Sequence, residues 1–199
     1  MLGLPESKEG FIIPLPNQYI TKGGNYKQFG YNNVGITVLF SNVINVEYFR
    51  KKIRSETGAY SSSMRHYADG TSLFESINDP GLETFMKRIE ELPDFLHTLR
   101  FGDINIIKKE AVQRYLTDFV LNNSYDNRTI KYLKNVSWEY VEEQISAIMD
   151  ATDKDFNSFI RQIEYIINQN HFCVMGNEKT LNRKKEFFSV IRKMPMNIV

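Results

Sequence analysis

The longest regular pattern of apolar residues in this chain lies between residues 33 and 55. Every second residue from Val34 to Phe40 is apolar, as in a strand, yet apolar residues also recur every three or four positions for about five helical turns. The helical positions are Ile36, Leu39, Phe40, Val43, Val46, Phe49 and Ile53. Because this length is typical of helices, the pattern predicts one long helix that ends at Gly58.

The next stretch, residues 59–77, alternates as a strand does and predicts a β-hairpin. Its turn is expected at Ala68-Asp69-Gly70, because the Asp-Gly dipeptide supplies the positive φ that tight hairpins need. A second helix is expected to begin at Asp79-Pro80, with Asp79 as the N-cap and Pro80 in the first helical position.

Strand-forming residues before the long helix, at 11–22, are interrupted by Pro14 and Pro16. Proline cannot donate to a β-ladder, so this segment predicts an edge strand or a strand that begins after Pro16. Gly23-Gly24 is expected to end it, and residues 1–10 are expected to form a flexible lead-in.

The C-terminal half alternates between helical patterns and short connections. Asn122–Asn127 is a polar loop. Asp103 and Asp153 are expected N-caps. Helices are predicted at about 80–92 with a continuation toward 97, and at about 103–122, 137–149, 153–169 and 179–192; a short buried strand is predicted at 171–175. Residues 1–199 are therefore expected to form a single α/β (α+β) domain, with a largely antiparallel sheet covered by helices on one face.

Composition narrows the classes of partner. The 199 residues are 42% hydrophobic and 25% charged, which suits a single globular domain. The net charge of +1 is not the large positive excess that would attract nucleic acid or an anionic membrane. No apolar run is long enough to span a bilayer. The basic runs at 50–52 and 183–185 are interpreted as solvated helix faces, so neither nucleic acid nor membrane is a predicted partner.

The sequence does not indicate metal or nucleophilic chemistry. None of His66, His97 and His171 belongs to a His-x-x-Glu-His motif or its inverse, so no metal ligand is assigned and the chain alone is predicted to be inactive. Cys173 lies in an apolar run and is interpreted as a small core residue. A complete enzyme that uses His66 or His171 is a weaker alternative.

Arg54 and Tyr60 flank the glycine turn that follows the long helix. In a structural interpretation, Arg54 ends the helix and Tyr60 packs at the start of a strand. In a functional interpretation, the guanidinium and the phenol OH donate hydrogen bonds to a substrate carbonyl and to the oxyanion that it becomes. The residues alone leave both interpretations open.

Around these residues the sequence resembles the C-terminal, non-zinc part of the insulinase/pitrilysin-type metallopeptidases, and specifically the presequence-protease branch. Ile53-Arg54 followed by Gly58-Ala59-Tyr60 is similar to its Ile-Arg…Gly-Gly-Ala-Tyr-Gly signature, with Thr57 and Ser61 in place of two glycines. Further similar segments are Pro14-Leu15-Pro16-Asn17-Gln18-Tyr19, Gly30-Tyr31, Gly35, Val38-Leu39 and Asn78-Asp79-Pro80-Gly81-Leu82.

This resemblance implies the last domain of a larger zinc metalloendopeptidase that degrades unfolded peptides. Such enzymes consist of four related α/β domains, or of paired subunits, that close around a chamber. Zinc is bound by the N-terminal half, in cis or in trans, and none is expected in this chain. The resemblance implies that Arg54 and Tyr60 contact the substrate carbonyl and that Gly58 and Ala59 complete the substrate-binding turn.

The resemblance leaves one alternative role and two possible cellular locations. Because this chain has no zinc motif, the alternative is a stand-alone, non-enzymatic interaction or scaffold protein with a degenerate peptidase fold. The expected location is the cytoplasm if the protein is bacterial, and an organelle matrix if it is eukaryotic.

Overall fold

The computed structural model describes residues 7–30, 34–67, 69–100, 102–121 and 137–194. Its strands are β1 Lys8–Ile12, β2 Gln18–Asn25, β3 Ser61–His66, β4 Thr71–Asp79, β5 His171–Gly176 and β6 Val190–Lys193. Its α-helices are α1 Val34–Ile44, α2 Arg54–Thr57, α3 Leu82–Glu90, α4 Leu92–Thr98, α5 Ile104–Leu121, α6 Trp138–Met149, α7 Asp153–Asn168 and α8 Glu178–Arg183. A π-helix covers Asn45–Ile53, and two 3-10 helices cover Tyr26–Phe29 and Lys185–Phe187.

The six strands form one sheet in the order β3-β4-β2-β5-β1-β6. The three pairings among β3, β4, β2 and β5 are antiparallel, whereas β1 is parallel to both of its neighbours, β5 and β6. The predicted fold class is confirmed, and the parallel pairings make the sheet mixed.

One face of the sheet is covered by helices. Ile20, Phe74 and Val174 alternate along their strands with partly exposed residues and are buried beneath the helices. Thr21 and Cys173 point to the opposite face. This period of two places the hydrophobic core on a single side, as the sequence pattern predicts. No helix within the described ranges combines the length and apolarity needed to cross a bilayer.

The predicted long helix is present as a continuous segment from Val34 to Thr57. Its middle is π-helical, which the sequence pattern does not predict; at its end the Arg54 N–H donates to the carbonyl of Phe49, five residues earlier. Tyr48, Phe49 and Ile53 from this segment are fully buried. The wider turn therefore keeps the apolar residues on the sheet up to the end of the helix.

The predicted strand after Pro16 is confirmed, because β2 begins at Gln18, but other predictions for the N-terminal strands are wrong. Pro14 and Pro16 lie between two strands, and β1 already begins at Lys8, so residues 8–10 are part of the sheet rather than a lead-in. Gly23-Gly24 lies inside β2 instead of ending it. A Cβ at Gly23 would lie 2.4 Å from the carbonyl oxygen of Ser72, so close packing explains this glycine.

The C-terminal helix predicted at 179–192 is also wrong. The helix α8 ends at Arg183, a 3-10 helix follows, and β6 then pairs with β1. A strand is favoured because Ile191 packs over Gly10 of β1, whose missing side chain leaves room for it. The predicted loop Asn122–Asn127 lies outside the described residues.

The predicted helix N-caps have mixed outcomes. The Asn105 N–H donates to Asp103 Oδ1 at 2.9 Å, as expected for a cap. The cap of α3 is Gly81 rather than Asp79, which belongs to β4. The cap of α7 is Thr152 rather than Asp153, because Thr152 forms a reciprocal capping box with Asp155.

We predict that Gly35→Ala destabilises the protein. A Cβ at Gly35 would lie 2.4 Å from the carbonyl oxygen of Gln144 on α6, and a backbone atom cannot rotate away. Overpacking of this kind costs about 1–3 kcal/mol in the free energy of unfolding, measurable by urea denaturation. Gly102→Ala is the matched control, because its Cβ would meet no atom within 4 Å. Equal losses in both variants would contradict this account of the packing.

Candidate functional site

The candidate site is the turn between the long helix and β3. Gly58 adopts the left-handed conformation with φ +74° and ψ 15°, and its N–H donates to the Arg54 carbonyl at 3.2 Å. The Ala59 N–H donates to Thr57 Oγ1 at 3.2 Å, and the Ala59 side chain is buried. The turn is therefore held by its own hydrogen bonds and by one side chain in the core.

Thr57 stands where the related signature has a glycine, and the structure shows why this is tolerated. Thr57 is the last residue of a helix and lies outside the positive-φ region, so a β-branched residue fits there without strain. Gly58 takes the left-handed conformation that the turn requires.

Arg54 and Tyr60 both lie exposed at this turn. The Tyr60 N–H donates to the Ile77 carbonyl at 3.1 Å, which fixes its backbone to β4, while its side chain is 73% exposed. Within the described ranges, neither the guanidinium of Arg54 nor the Tyr60 OH makes a hydrogen bond or an ion pair. Their polar donors are thus available to another molecule.

An ionic cluster attaches the end of the helix to α3. Arg88 of α3 pairs with Glu56, which lies between Arg54 and the turn, and also with Glu91. Arg88 lowers the pKa of the Glu91 carboxyl through its hydrogen bond, and that bond to Glu91 is also the main reason why the pKa of Arg88 is raised. The Tyr48 OH donates to the Arg88 carbonyl at 2.5 Å, so a buried tyrosine of the π-helix reinforces the attachment.

Lys52 completes the packing next to this cluster. Its ammonium lies 5.4 Å from the ring centre of Tyr48 and 5.9 Å from that of Phe95. Burial raises the pKa of Tyr48, so its OH stays protonated at physiological pH and can keep donating to Arg88. The cluster was not predicted, because Glu56 and Arg88 are 32 residues apart and no local pattern pairs them.

The described residues provide no ligand set for a metal ion: they contain no group of three or more His, Cys, Asp and Glu side chains that could hold one. His66 Nδ1 lies 3.2 Å from Ser41 Oγ, and His171 is exposed at the start of β5. Burial raises the pKa of the Cys173 thiol, which opposes the thiolate that a nucleophile needs.

Comparison with known families and proteins identifies similar chains. The family model described as "PreP C-terminal domain" matches residues 8–176. Protein HypA from Clostridium perfringens (strain 13 / Type A) is 26% identical over 203 residues, which cover 96% of this chain and 20% of HypA. This chain therefore spans about a fifth of the length of that curated relative.

Solved structures share the fold. Pitrilysin aligns with a TM-score of 0.59 at 11% identity, covering 95% of this chain and 22% of that chain. A conserved protein from Enterococcus faecalis V583 aligns with a TM-score of 0.59 at 14% identity, covering 86% and 42%. An inactive peptidase domain from Bordetella parapertussis aligns with a TM-score of 0.54 at 11% identity, covering 82% and 91%. At these identities the likeness shows the fold alone.

We predict that Gly58→Ala lowers stability through backbone conformation alone. A Cβ at Gly58 would approach nothing closer than Pro80 Cγ, at 3.9 Å, so no steric clash contributes. Holding alanine at φ +74° costs about 1–2 kcal/mol in the free energy of unfolding. Gly58→Asn should lose less, because asparagine tolerates the left-handed region better. Urea denaturation of both variants checks this, and a Gly58→Ala variant as stable as the parent would contradict it.

Proposed function

Because the chain belongs to the PreP C-terminal domain family, we propose that it is the substrate-binding, chamber-closing C-terminal domain of a zinc metalloendopeptidase that degrades unfolded peptides. The observation that carries this proposal is the turn at Gly58, which presents an exposed arginine and an exposed tyrosine from fixed backbone positions. By itself the domain is not catalytic in this proposal.

The chemistry of the two side chains suits a peptide backbone. Arg54 and Tyr60 are both hydrogen-bond donors, and the carbonyl groups of an extended peptide are unpaired acceptors. The planar guanidinium can donate two parallel hydrogen bonds, whereas the phenol OH donates one. Donors that face the scissile carbonyl stabilise the negative charge that develops on its oxygen during hydrolysis.

The attachments of the turn support this role. Glu56 and Tyr48 bind Arg88 on α3, and the backbone of Tyr60 binds β4. The backbones that carry the two donors are therefore held in place before a peptide arrives, which reduces the entropy lost on binding.

The proposal assigns the bond-breaking chemistry to another part of the enzyme. The described residues of this chain do not form a zinc site, so zinc belongs in the proposal to an N-terminal half, present in cis or in trans. Unfolded peptide and that zinc-bearing half are the two proposed partners. The proposed compartment is the cytoplasm of a bacterium or the matrix of a eukaryotic organelle.

In the complete protein, we expect Tyr60→Phe to lower peptide turnover by on the order of 10²-fold or less, the effect of one oxyanion donor. Steady-state hydrolysis of an unstructured peptide measures it. Tyr67→Phe is the matched control, because Tyr67 is also exposed, at 41%, but lies at the other end of β3. Turnover that is unchanged in Tyr60→Phe would reject the proposed role of the phenol OH.

We also expect Arg54→Lys to reduce kcat/KM for peptide by on the order of tenfold, although the positive charge is kept. The lysine ammonium cannot reproduce the two parallel hydrogen bonds of the guanidinium. Arg50→Lys, in an exposed position one helical turn earlier, is the control. Full activity of both Arg54→Lys and Tyr60→Phe would contradict the proposed contacts between this turn and the peptide substrate.

The size of the native polypeptide tests the proposed multidomain parent directly. An antibody against this domain should detect, in the source cell, a polypeptide several times larger than 23.3 kDa. A species of 23.3 kDa that does not associate with a zinc-bearing partner would contradict the proposal.

A further inference from the structure

A buried lysine lies beneath the helices, on elements separate from the Arg54–Tyr60 turn. Lys22 of β2 is only 2% exposed, and its Nζ donates to Asn170 Oδ1 at 3.1 Å. Lysine is almost never fully buried without a charged partner, and its ammonium has three donors. In the part of the chain that the structure describes, Lys22 forms no ion pair, and burial lowers its pKa more than the charge of Glu90 raises it.

A cavity of about 270 Å³ is lined by Lys22 and by its partner Asn170. Its floor is one row of side chains across three neighbouring strands, because Phe172 of β5 pairs with Lys22 on one side and with Lys8 of β1 on the other. Directly paired residues point to the same face of a sheet. The row therefore presents an aromatic ring between two amines.

Two segments form the walls of the cavity. Helix α3 contributes Met86 and Glu90, and the 3-10 helix at 185–187 contributes Glu186 and Phe187. Met86 is buried, whereas both carboxylates are on exposed residues and so lie toward the mouth. The cavity thus has an ammonium at its buried end, carboxylates at its rim and apolar groups between them.

An ion pair joins the two walls. Lys184 Nζ, next to the 3-10 helix, lies 2.8 Å from Glu83 Oε2 of α3. Asn170, the partner of Lys22, adopts a left-handed conformation with φ +53°. Backbone conformations of this kind carry strain and persist where the surrounding structure holds them. The backbone of Asn170, the partner of the buried amine, is therefore held in place by the surrounding fold.

The charges of the lining select the class of ligand. Two amines and two carboxylates give the lining no net charge. A simple anion would be repelled by Glu90 and Glu186, and a simple cation would be repelled by Lys8 and Lys22. A ligand that carries both signs on neighbouring atoms matches both sets. The volume lies just below the range of about 300–1,000 Å³ typical of small-molecule sites, which favours a compact ligand.

We infer that this cavity binds a free α-amino acid with an apolar side chain. The carboxylate of the ligand accepts hydrogen bonds from Lys22, its ammonium faces Glu90, and its side chain lies against Met86, Phe172 and Phe187. This site does not depend on the proposed peptidase function.

Isothermal titration calorimetry on the complete protein tests the site with L-leucine and two analogues that each lack one charge. Leucine should bind at least about tenfold more tightly than 4-methylpentanoate, which lacks the ammonium, or isoamylamine, which lacks the carboxylate. The proposal would be overturned if neither leucine nor L-phenylalanine gave a heat of binding. Binding of 4-methylpentanoate as tight as that of leucine would overturn it as well.

Substitutions locate the binding. Lys22→Met removes the amine with little change in length and should weaken leucine binding by about tenfold or more, as expected for a buried charged hydrogen bond. Glu90→Gln should weaken it by about two- to fivefold, because Glu90 is exposed. Lys51→Met is the control, since Lys51 pairs with Glu47 on an exposed face of the π-helix.

Unchanged leucine affinity in both Lys22→Met and Glu90→Gln would place the binding elsewhere and overturn the proposal. If Lys22→Met does not fold, Glu90→Gln and the two leucine analogues still decide, because they need no change at the buried position.

Discussion

The position of the long helix along the sheet determines where everything else in the candidate site lies. Polar side chains on its buried face fix that position at successive turns. Gln162 Nε2 donates to Thr37 Oγ1 at 3.1 Å, and Asn45 binds both the N–H and the carbonyl of Met64 on β3. A shift of the helix by one residue would break these hydrogen bonds, which is costly because Thr37 and Gln162 are buried. This constraint fixes the position along the sheet at which the helix carries Arg54.

Much of the fold could be predicted because it depends on local patterns. The helical period after Val34 and the Asp69-Gly70 turn each act over a few residues, and both were predicted correctly. The errors arose where distant packing decides. The sequence around Gly23 predicts the end of a strand, because it does not show that Ser72 packs against this glycine. Similarly, β6 forms because it pairs with β1, where Gly10 leaves room for Ile191.

In the candidate site, too, the features set by neighbouring residues could be predicted and those set by distant packing could not. The glycine turn and its two flanking side chains were identified from residues close together in the sequence, and the structure places Arg54 and Tyr60 exposed at that turn. The parts that hold the turn in place were not identified, because Arg88 reaches it from a different helix. The π-helical geometry was not predicted either, since an apolar spacing of three to four residues indicates an ordinary α-helix and π-helices are rare.

The parallel pairing of β1 has a consequence for how the chain folds. Lys8 pairs with Phe172, so the sheet joins residues 164 positions apart, and both strands that pair with β1 in the described part of the chain, β5 and β6, lie after residue 170. Contacts of such long sequence separation form slowly, because a long loop must close before they contribute. During synthesis on a ribosome, β1 therefore emerges long before either neighbour exists. The antiparallel part of the sheet can form around β4 first, and the N-terminal strand joins it only after β5 has left the ribosome.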